Sequence, residues 1–251
     1  RSFLKATYED AWKSYTRSLC DDSATWDYLI LTASNEDQAE IYREQIRFRQ
    51  KQNLLPHKTK YVVIPDTDGK RVGSGGATFN ALAFIAESEG YVDSPFSGKR
   101  ILVIHSGGDS KRIPQYSALG KLFSPVPRRL PNGQYSTLFD EFVISTSGIP
   151  ERLKEGMLVL SGDVMLVFNT LQIDIQKSQA YAISFKINVD IGKEHGVFLS
   201  SNDQHVEMFL HKQTEERLRE MGAVNSNDCV NLDTGSIILG PKIMNDLYSL
   251  I

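Results

Sequence analysis

The sequence over residues 101–127 is ILVIHSGGDSKRIPQYSALGKLFSPVP, and it opens with four apolar residues, three of them β-branched. That content predicts a strand buried on both faces of a sheet. Gly107-Gly108 follow shortly after, so the backbone can turn sharply there and present bare N–H groups to an anionic oxygen atom. Arg112 and Lys121 then add positive charge. Backbone donors and cations together suit a polyphosphate, whereas the alternative is an ordinary strand-to-helix turn followed by solvated basic residues.

Similar apolar runs occur elsewhere in the first part of the chain and alternate with helical patterns. Buried strands are predicted over residues 28–32, 61–64, 101–104 and 156–160, and helices over residues 1–25, 34–52 and 137–147 and from about residue 73 onward. This alternation is typical of the α/β class and predicts a Rossmann-like, doubly wound, mostly parallel sheet. Ligands of such sheets bind beyond the carboxyl ends of the strands. The turn after Ile104 and Asp163 after Leu160 are therefore predicted to share one site.

The last part of the chain has a different pattern, with shorter strands and more turns. Strands are predicted over 182–185, 196–199, 206–210 and 236–239, with a helix over 214–221 and a last helix after Gly240-Pro241. Residues 127–133 are rich in turn-forming types and are predicted to be a loop. We interpret the region after residue 170 as a mixed sheet.

A second glycine turn precedes the first one in the chain. Gly73, Gly75 and Gly76 stand where a helix is predicted to begin. The helix dipole and the free N–H groups of a first turn favour an anion or the polar edge of a ligand. The alternative is close packing of a helix on a sheet, which also requires glycine.

Asp163 is the main candidate for binding a metal ion. It follows Gly162 at the end of a predicted buried strand, where a carboxylate costs free energy unless a cation or hydrogen bonds compensate for it. The glycine before it leaves room for a ligand. The alternative is that Asp163 caps the next helix.

Composition excludes several classes of function. The chain has 251 residues, with 28 basic and 31 acidic side chains and a formal net charge of −3, so nothing favours binding to nucleic acid or to an anionic membrane. A nucleotide site must be a local basic patch; the candidates are Lys111, Arg112, Lys121, Arg128 and Arg129. Cys20 and Cys229 have no metal-site spacing, and reduced thiols in a cytoplasmic protein are the simplest interpretation. No apolar run has the length of a membrane span.

Taken together, these motifs resemble a known family. Gly-Gly-x-Ser-x-Arg at 107–112, followed by Gly-Lys-Leu-Phe-x-Pro-Val at 120–126, resembles the signature of sugar nucleotidyltransferases. The whole of residues 105–127 is more similar to the fucose-1-phosphate guanylyltransferase family, which includes the guanylyltransferase half of bifunctional fucokinases. Matching elements recur at 73–78, 162–163, 195–198 and 231–235. The resemblance covers about residues 26–245.

The resemblance implies a nucleotidyltransferase (GT-A-like) fold in a single catalytic domain over residues 1–251. Its expected parts are an N-terminal helix (1–25), a nucleotide-binding half (26–170) and a sugar-binding half (171–251); whether a kinase or β-helix domain follows residue 251 is left open. The implied reaction makes GDP-L-fucose and pyrophosphate from GTP and L-fucose 1-phosphate, with Mg²⁺. The sugar phosphate attacks the α-phosphate in line, so positioning and charge neutralisation suffice without a protein nucleophile.

The resemblance also implies roles for individual residues. The nucleotide is expected to contact Gly73, Gly75, Gly76, Gly107, Gly108, Ser110 and Arg112. The expected catalytic residues are Arg112, Lys121 and Asp163, with Asp163 holding the metal. The sugar phosphate is expected to contact Lys121, Gly196, Lys212, Asn231, Asp233 and Gly235. His195 is a weaker candidate, because a single histidine is more often structural, and Asp233 has a turn-forming role as its alternative.

Two features leave alternatives open. Residues 211–213 are His-Lys-Gln, where many relatives in the superfamily have Glu-Lys-Pro, which puts the usual carboxylate–sugar bond in doubt. Nothing in the composition separates guanine from uracil, so transfer from UTP to another hexose 1-phosphate is one alternative, and a non-catalytic nucleotide-binding domain is another. The glycine spacing does not fit the Gly-x-Gly-x-x-Gly fingerprint of dinucleotide-binding folds.

Overall fold

The computed structural model describes residues 2–106, 120–167, 169–170, 180–201 and 205–251. The chain divides into two compact units. The large unit comprises Arg1–Ala180 and Leu239–Ile251, and the small unit comprises Tyr181–Ile238. Within the described ranges, none of the helices combines the length and the apolar character needed to cross a lipid bilayer.

The described helices and strands are, in chain order, α1 (Ser2–Leu19), β1 (Tyr28–Ala33), α2 (Glu36–Lys51), β2 (Lys60–Pro65), α3 (Gly73–Ser88), β3 (Arg100–His105), β4 (Pro125–Arg129), β5 (Tyr135–Thr137), α4 (Leu138–Thr146), β6 (Gly156–Ser161), β7 (Ala180–Asn188), α5 (Val189–Gly192), β8 (Gly196–Ser200), β9 (Val206–His211), α6 (Glu215–Glu220), β10 (Cys229–Leu239) and α7 (Pro241–Tyr248). Short 3₁₀ turns lie at Thr67–Gly69 and Lys121–Phe123.

The large unit is built on a parallel sheet with the strand order β2-β1-β3-β6. All four of its strands coincide with runs predicted from apolar content, and β1 is buried along its whole length. Non-consecutive neighbours joined by helices are typical of a Rossmann-like sheet. The predicted α/β fold, with a mostly parallel central sheet flanked by helices, is confirmed.

Both faces of this sheet are covered, as expected for a doubly wound fold. One face carries Tyr28, Ile30, Ile101, Val103, Met157 and Val159, which pack on Leu82 and Ile85 of α3 and Met244 of α7. Successive side chains of a strand point to opposite faces, so Leu29 lies on the other face, where it borders a small cavity together with Trp26 and Val143. Continuous apolar strands are required because neither face meets water.

The sequence of α2 predicts its start and its buried face, since Ser34-Asn35 with Gln38 three residues on resembles a capping box and Ala39, Tyr42, Ile46 and Arg49 are spaced to share one face. The Asn35 side chain accepts a hydrogen bond from the backbone N–H of Gln38 at 2.9 Å, and the Gln38 side chain accepts one from the N–H of Ser34 at 2.9 Å. The predicted inner face is buried: Ala39, Tyr42, Ile46 and Arg49.

A buried ion pair joins this face of α2 to α4. Arg49 Nε lies 2.7 Å from Asp140 Oδ1, Arg49 Nη2 lies 3.1 Å from Asp140 Oδ2, and the side chains are 6% and 4% exposed. Asp140 also accepts a hydrogen bond from the Thr137 backbone N–H at 2.7 Å, completing the capping box that starts α4. The Asp140 carboxylate therefore caps the start of α4 and also joins α4 to α2.

The small unit is an antiparallel sheet in which β8 lies between β9 and β10, and β7 pairs with β10. One face packs on α6 through a compact apolar cluster of Val189, Val197, Leu210, Leu218 and Val230. Its antiparallel pairing fits the predicted change of pattern after residue 170.

Three predicted element boundaries were wrong. The first helix ends at Leu19, and Cys20 begins a turn, so residues 20–25 are not helical. Residues 125–129 form β4, because a two-stranded ribbon tolerates proline at positions that donate no ladder hydrogen bond. The last strand begins at Cys229, well before the predicted residue 236, so residues 231–235 lie inside β10.

Candidate functional site

The carboxyl ends of β3 and β6 lie side by side. Their parallel register pairs Ile104 with Leu160 and His105 with Ser161, and the N–H of Gly162 donates a hydrogen bond to the His105 carbonyl at 2.9 Å. The chain segments that follow the two strands therefore start next to each other, at the edge where parallel α/β sheets bind ligands.

Gly162 is required by the close approach of these two segments. A β-carbon built at Gly162 lies 2.8 Å from the His105 carbonyl oxygen and 3.1 Å from Ser106 Cα. These neighbours are backbone atoms, which cannot move aside without shifting the strand. Glycine at this position therefore lets Asp163 follow directly beside the start of the segment after β3.

Asp163 meets Lys121 at this edge. Asp163 Oδ2 lies 3.7 Å from Lys121 Nζ, and Oδ1 accepts a hydrogen bond from the Ser161 hydroxyl at 2.7 Å. The Asp163 side chain is 56% exposed, so the carboxylate is oriented by the protein and still open to a ligand. Two of the three predicted catalytic residues are thus brought together from distant parts of the chain.

The chemistry of this edge is compatible with Mg²⁺. Among the described residues no group of three or more His, Cys, Asp or Glu side chains forms a ready metal cage. Mg²⁺ commonly uses one or two protein carboxylates and takes its other ligands from water and substrate phosphates. A single exposed Asp163 carboxylate fits that pattern and does not fit a structural zinc site.

His105, the last residue of β3, contacts α3 near the amino end of that helix. His105 Nε2 is 3.1 Å from the Thr78 hydroxyl, and that hydroxyl donates to the Ser74 carbonyl at 2.9 Å. Since the hydroxyl proton is used on Ser74, we assign the imidazole proton to Nε2, which donates to Thr78. This contact connects the end of β3 to the turn that contains the predicted nucleotide-binding glycines.

Gly73, Gly75 and Gly76 differ in whether the surrounding atoms leave room for a side chain. At Gly73, which has a φ of +71°, and at Gly75, an added β-carbon meets no atom of the described chain within 4 Å. Close helix–sheet packing therefore does not explain them. At Gly76 a β-carbon lies 2.7 Å from Val72 Cβ, so local packing does require glycine there. The α3 amino end has no side-chain cap, which leaves its first N–H groups available to a ligand.

Burial lowers the pKa of His105 from 6.5 to about 4. Between these pH values the unfolded chain binds a proton that the folded chain does not, so stability is full above pH 6.5 and is lost as the pH falls toward 4. Between pH 6.5 and pH 4, this difference in proton binding changes the free energy of unfolding by about 3 kcal/mol. We expect His105→Gln to remove this part of the pH dependence in denaturant titrations at about pH 7.5 and about pH 4.5.

His57→Gln is the matched control for this prediction, because His57 is exposed. The control should keep the pH dependence of the unaltered protein. Equal pH dependence in His105→Gln and in the control would show that His105 does not resist protonation.

In the small unit, three residues predicted to contact the sugar phosphate share one face of the sheet. Asn231 pairs with Phe198 across β10 and β8, and the next position on the same face brings Gly196 against Asp233. A β-carbon at Gly196 lies 2.6 Å from the Phe209 ring and 3.3 Å from Asp233 Cβ, so only glycine fits.

Two further predicted residues adjoin this face through turns of the backbone. Asp233 Oδ1 accepts a hydrogen bond from the N–H of Gly235, which has a φ of +68°, at 2.8 Å. Lys212 follows β9 with a φ of 49°, and its N–H donates to the His195 carbonyl at 2.9 Å. Asp233 lies inside strand β10, so its bond to Gly235 is a local contact within the strand, and it does not exclude contact with a ligand.

The remaining predicted residues fall into two groups. Gly107, Gly108, Ser110, Lys111 and Arg112 lie outside the described residues, and their roles stay predictions. Arg128 and Arg129 are engaged elsewhere in the protein. The Arg128 guanidinium lies 3.3 Å from the centre of the Tyr8 ring and pairs with buried Glu141 at 2.8 Å, and the Arg129 guanidinium lies 4.0 Å from the centre of the Tyr135 ring.

The sequence reasoning missed several residues around the site. The Thr78 hydroxyl, the His105 ring and the Phe209 ring contact predicted site residues or their immediate neighbours. His105 stands within the recognised signature, which is a signal that could have identified it. Phe209 belongs to an apolar run that indicates only a strand.

Comparison with known proteins gives a consistent result. Residues 93–251 match the Fucose pyrophosphorylase domain family. The chain is 31% identical over 257 residues to the bifunctional fucokinase/GDP-fucose pyrophosphorylase of Arabidopsis thaliana, an alignment covering 90% of this chain and 24% of that protein. It is 30% identical over 213 residues to the fucose-1-phosphate guanylyltransferase of Mus musculus, covering 80% of this chain and 35% of that protein. The chain thus spans about a quarter to about a third of these relatives.

Among solved structures, a match is found with the crystal structure of HddC from Yersinia pseudotuberculosis. The TM-score is 0.39 at 13% sequence identity, and the match covers 88% of this chain and 80% of that one.

Proposed function

Because the chain belongs to the fucose pyrophosphorylase family, we propose that it is a sugar-1-phosphate nucleotidyltransferase that makes GDP-L-fucose and pyrophosphate from GTP and L-fucose 1-phosphate. The observation that carries the proposal is the meeting of Lys121 and Asp163 within 3.7 Å at the carboxyl edge of the parallel sheet. The names of the relatives supply the base and the sugar.

The reaction asks little covalent chemistry of the protein. An oxygen of the sugar phosphate attacks the α-phosphorus of the nucleotide, and the bond from that phosphorus to the bridging oxygen of pyrophosphate breaks. Bound at Asp163, Mg²⁺ would supply charge neutralisation on the phosphates. Asp163 is held for that task by the Ser161 hydroxyl. Lys121 would supply a second positive charge for the phosphates, because its ammonium lies 3.7 Å from the Asp163 carboxylate that would hold the metal.

The two glycine turns would bind the nucleotide. In the part of the chain that the structure describes, no side chain caps the amino end of α3, and β-carbons at Gly73 and Gly75 would meet no atom within 4 Å. Such an end favours a polar or anionic ligand group. In the proposal Gly107, Gly108, Ser110 and Arg112 hold the triphosphate.

The small unit would bind the sugar phosphate. Gly196, Asn231 and Asp233 lie on one face of its sheet, and a carboxylate and an amide beside a bare glycine suit a hydroxylated ligand. Lys212 and Gly235 adjoin this face and would contribute a cation and a backbone donor. His211 stands where related enzymes have glutamate, so in this proposal Asp233 supplies the carboxylate.

Two statements about context belong to the same proposal. The described cysteines, Cys20 and Cys229, are free thiols, which suits a cytoplasmic protein. The name of the Arabidopsis relative joins a fucokinase to the pyrophosphorylase, which supports a kinase domain as a fused partner.

The proposal is tested by measuring pyrophosphate release. Each of the four nucleoside triphosphates is combined with a panel of hexose 1-phosphates in Mg²⁺ buffer, and we expect release from GTP with L-fucose 1-phosphate. Chelation of the metal should stop it, and added Mg²⁺ should restore it. Release with UTP and not GTP would overturn the guanylyl assignment. Nucleotide binding without release from any pair would favour a non-catalytic nucleotide-binding domain.

A further inference from the structure

The hydroxyl of Tyr42 contacts the two residues that flank residues 107–119. It donates a hydrogen bond to the Ser106 carbonyl at 3.2 Å. At Gly120 an added β-carbon would overlap the same hydroxyl and would lie 2.9 Å from Tyr42 Cζ. One hydroxyl therefore contacts both Ser106 and Gly120.

Gly120 has a backbone conformation that suits this contact. Its φ is 68° and its ψ is 157°, a combination that is essentially restricted to glycine. The next residue, Lys121, begins the short 3₁₀ turn Lys121–Phe123. The backbone at Gly120 thus sets the direction in which Lys121 starts, and the Lys121 ammonium ends 3.7 Å from Asp163 Oδ2.

The Tyr42 ring is fixed independently of its hydroxyl. It is fully buried on the inner face of α2, and its centre lies 5.1 Å from that of the Phe123 ring. The Arg49 guanidinium, two turns further along α2, lies 5.0 Å from the centre of the same Phe123 ring. One face of α2 therefore contacts both ends of the Gly120–Phe123 segment, and the hydroxyl of Tyr42 has little freedom to move. Burial also raises the pKa of Tyr42 to about 12, so the phenol keeps the proton that it donates.

We propose that Tyr42 is a positioning residue for the reaction. By holding Ser106 and Gly120 in place, its hydroxyl keeps Lys121 beside Asp163. Its observed contacts are with Ser106, Gly120 and Phe123, so Tyr42 acts on Lys121 through the backbone. The expected effect on kcat rests on the proposed function. The expected effect on the position of Lys121 rests on the described contacts alone.

The primary test is Tyr42→Phe, with Tyr61→Phe as a matched control. Tyr61 donates to the Pro56 carbonyl at the same 3.2 Å, so the control loses an equivalent hydrogen bond away from the site. We expect kcat for pyrophosphate release to fall about fivefold to tenfold in Tyr42→Phe, corresponding to one lost hydrogen bond. The control should stay within about twofold, with a similar change in melting temperature.

A second test measures how accessible the Lys121 ammonium is, and it does not require the protein to turn over substrate. The rate at which Lys121 is acetylated is measured by mass spectrometry, with Lys242 of the same molecule as internal reference. We expect Tyr42→Phe to raise the Lys121 rate relative to Lys242, and Tyr61→Phe to leave the ratio unchanged. This readout remains valid if no substrate pair releases pyrophosphate, so failure of the proposed function and failure of the positioning role are distinguishable.

Gly120→Ala tests the steric side of the contact. Its β-carbon overlaps the Tyr42 hydroxyl, so we expect a larger loss of kcat than in Tyr42→Phe, and partial recovery when both substitutions are combined. The proposal is overturned if Tyr42→Phe matches Tyr61→Phe in both kcat and Lys121 acetylation. It is also overturned if the two substitutions are simply additive, because independent sites have no shared contact.

Discussion

Replacing Asp163 with asparagine should lower the rate of pyrophosphate release by about a thousandfold, because loss of metal-assisted charge neutralisation is worth several kcal/mol and each 1.4 kcal/mol is tenfold. Asparagine keeps the size of the side chain and the acceptor for Ser161, which lies 2.7 Å away, but loses the negative charge. Binding of GTP, measured by calorimetry without sugar phosphate, should be reduced far less, because the glycine turns and cations remain.

Asp246→Asn is the control for this experiment. Asp246 is 58% exposed and pairs with Lys242 at 2.8 Å, so it matches Asp163 in exposure and in having a lysine partner, but it lies on α7. The control should retain full activity. Turnover in Asp163→Asn within about threefold of the unaltered protein would exclude Asp163 as a metal ligand in the reaction.

Replacing Asp140 with alanine should lower the free energy of unfolding by about 3–5 kcal/mol, the usual cost of breaking a buried ion pair. Arg49 would then remain buried with a charge whose partner is gone, since its side chain is 6% exposed. The capping box at Thr137 is lost as well, which adds about 1 kcal/mol. The measurement is urea unfolding followed by circular dichroism.

Glu215→Ala on α6 is the contrasting variant, because Glu215 also accepts hydrogen bonds from Nε and Nη2 of one arginine, Arg219, at 2.9 and 2.7 Å, yet near the surface. We expect a change within about 1 kcal/mol there. Asp140→Asn should fall between the two, since an amide still accepts hydrogen bonds from Thr137 and Arg49. A loss below about 1 kcal/mol in Asp140→Ala would show that Arg49 finds other partners or water.

Much of the fold was predictable because the signals are local. The apolar run at Ile101–Ile104 predicts a buried strand through its own composition, and Asn35 and Gln38 predict a helix start through bonds between residues three apart. The spacing of Ala39, Tyr42, Ile46 and Arg49 predicts the buried face of α2. The local signal was misleading for β4. Its prolines predict a loop, whereas the segment is a strand that pairs with β5.

The site was predictable in part. The rule that ligands bind at the carboxyl edge of a parallel sheet places Asp163 and the segment after β3 together, and the register of Ile104 with Leu160 bears this out. The sequence identified the glycines at the start of α3 but did not show which of them the packing of the protein requires. A β-carbon at Gly73 or Gly75 meets none of the described atoms within 4 Å, whereas one at Gly76 meets Val72.

The sequence by itself determined the parallel α/β architecture and predicted the edge at which a ligand is expected, because hydrophobic periodicity, caps and glycine turns act over a few neighbouring residues. Only the tertiary structure decided which distant atoms meet. The pairing of Lys121 with Asp163, the burial of Arg49 against Asp140 and the position of the Tyr42 hydroxyl depend on how α2, β3 and β6 pack. No local pattern encodes such contacts, since each side chain is positioned by elements far away in the chain and a shift of one residue in register would separate them.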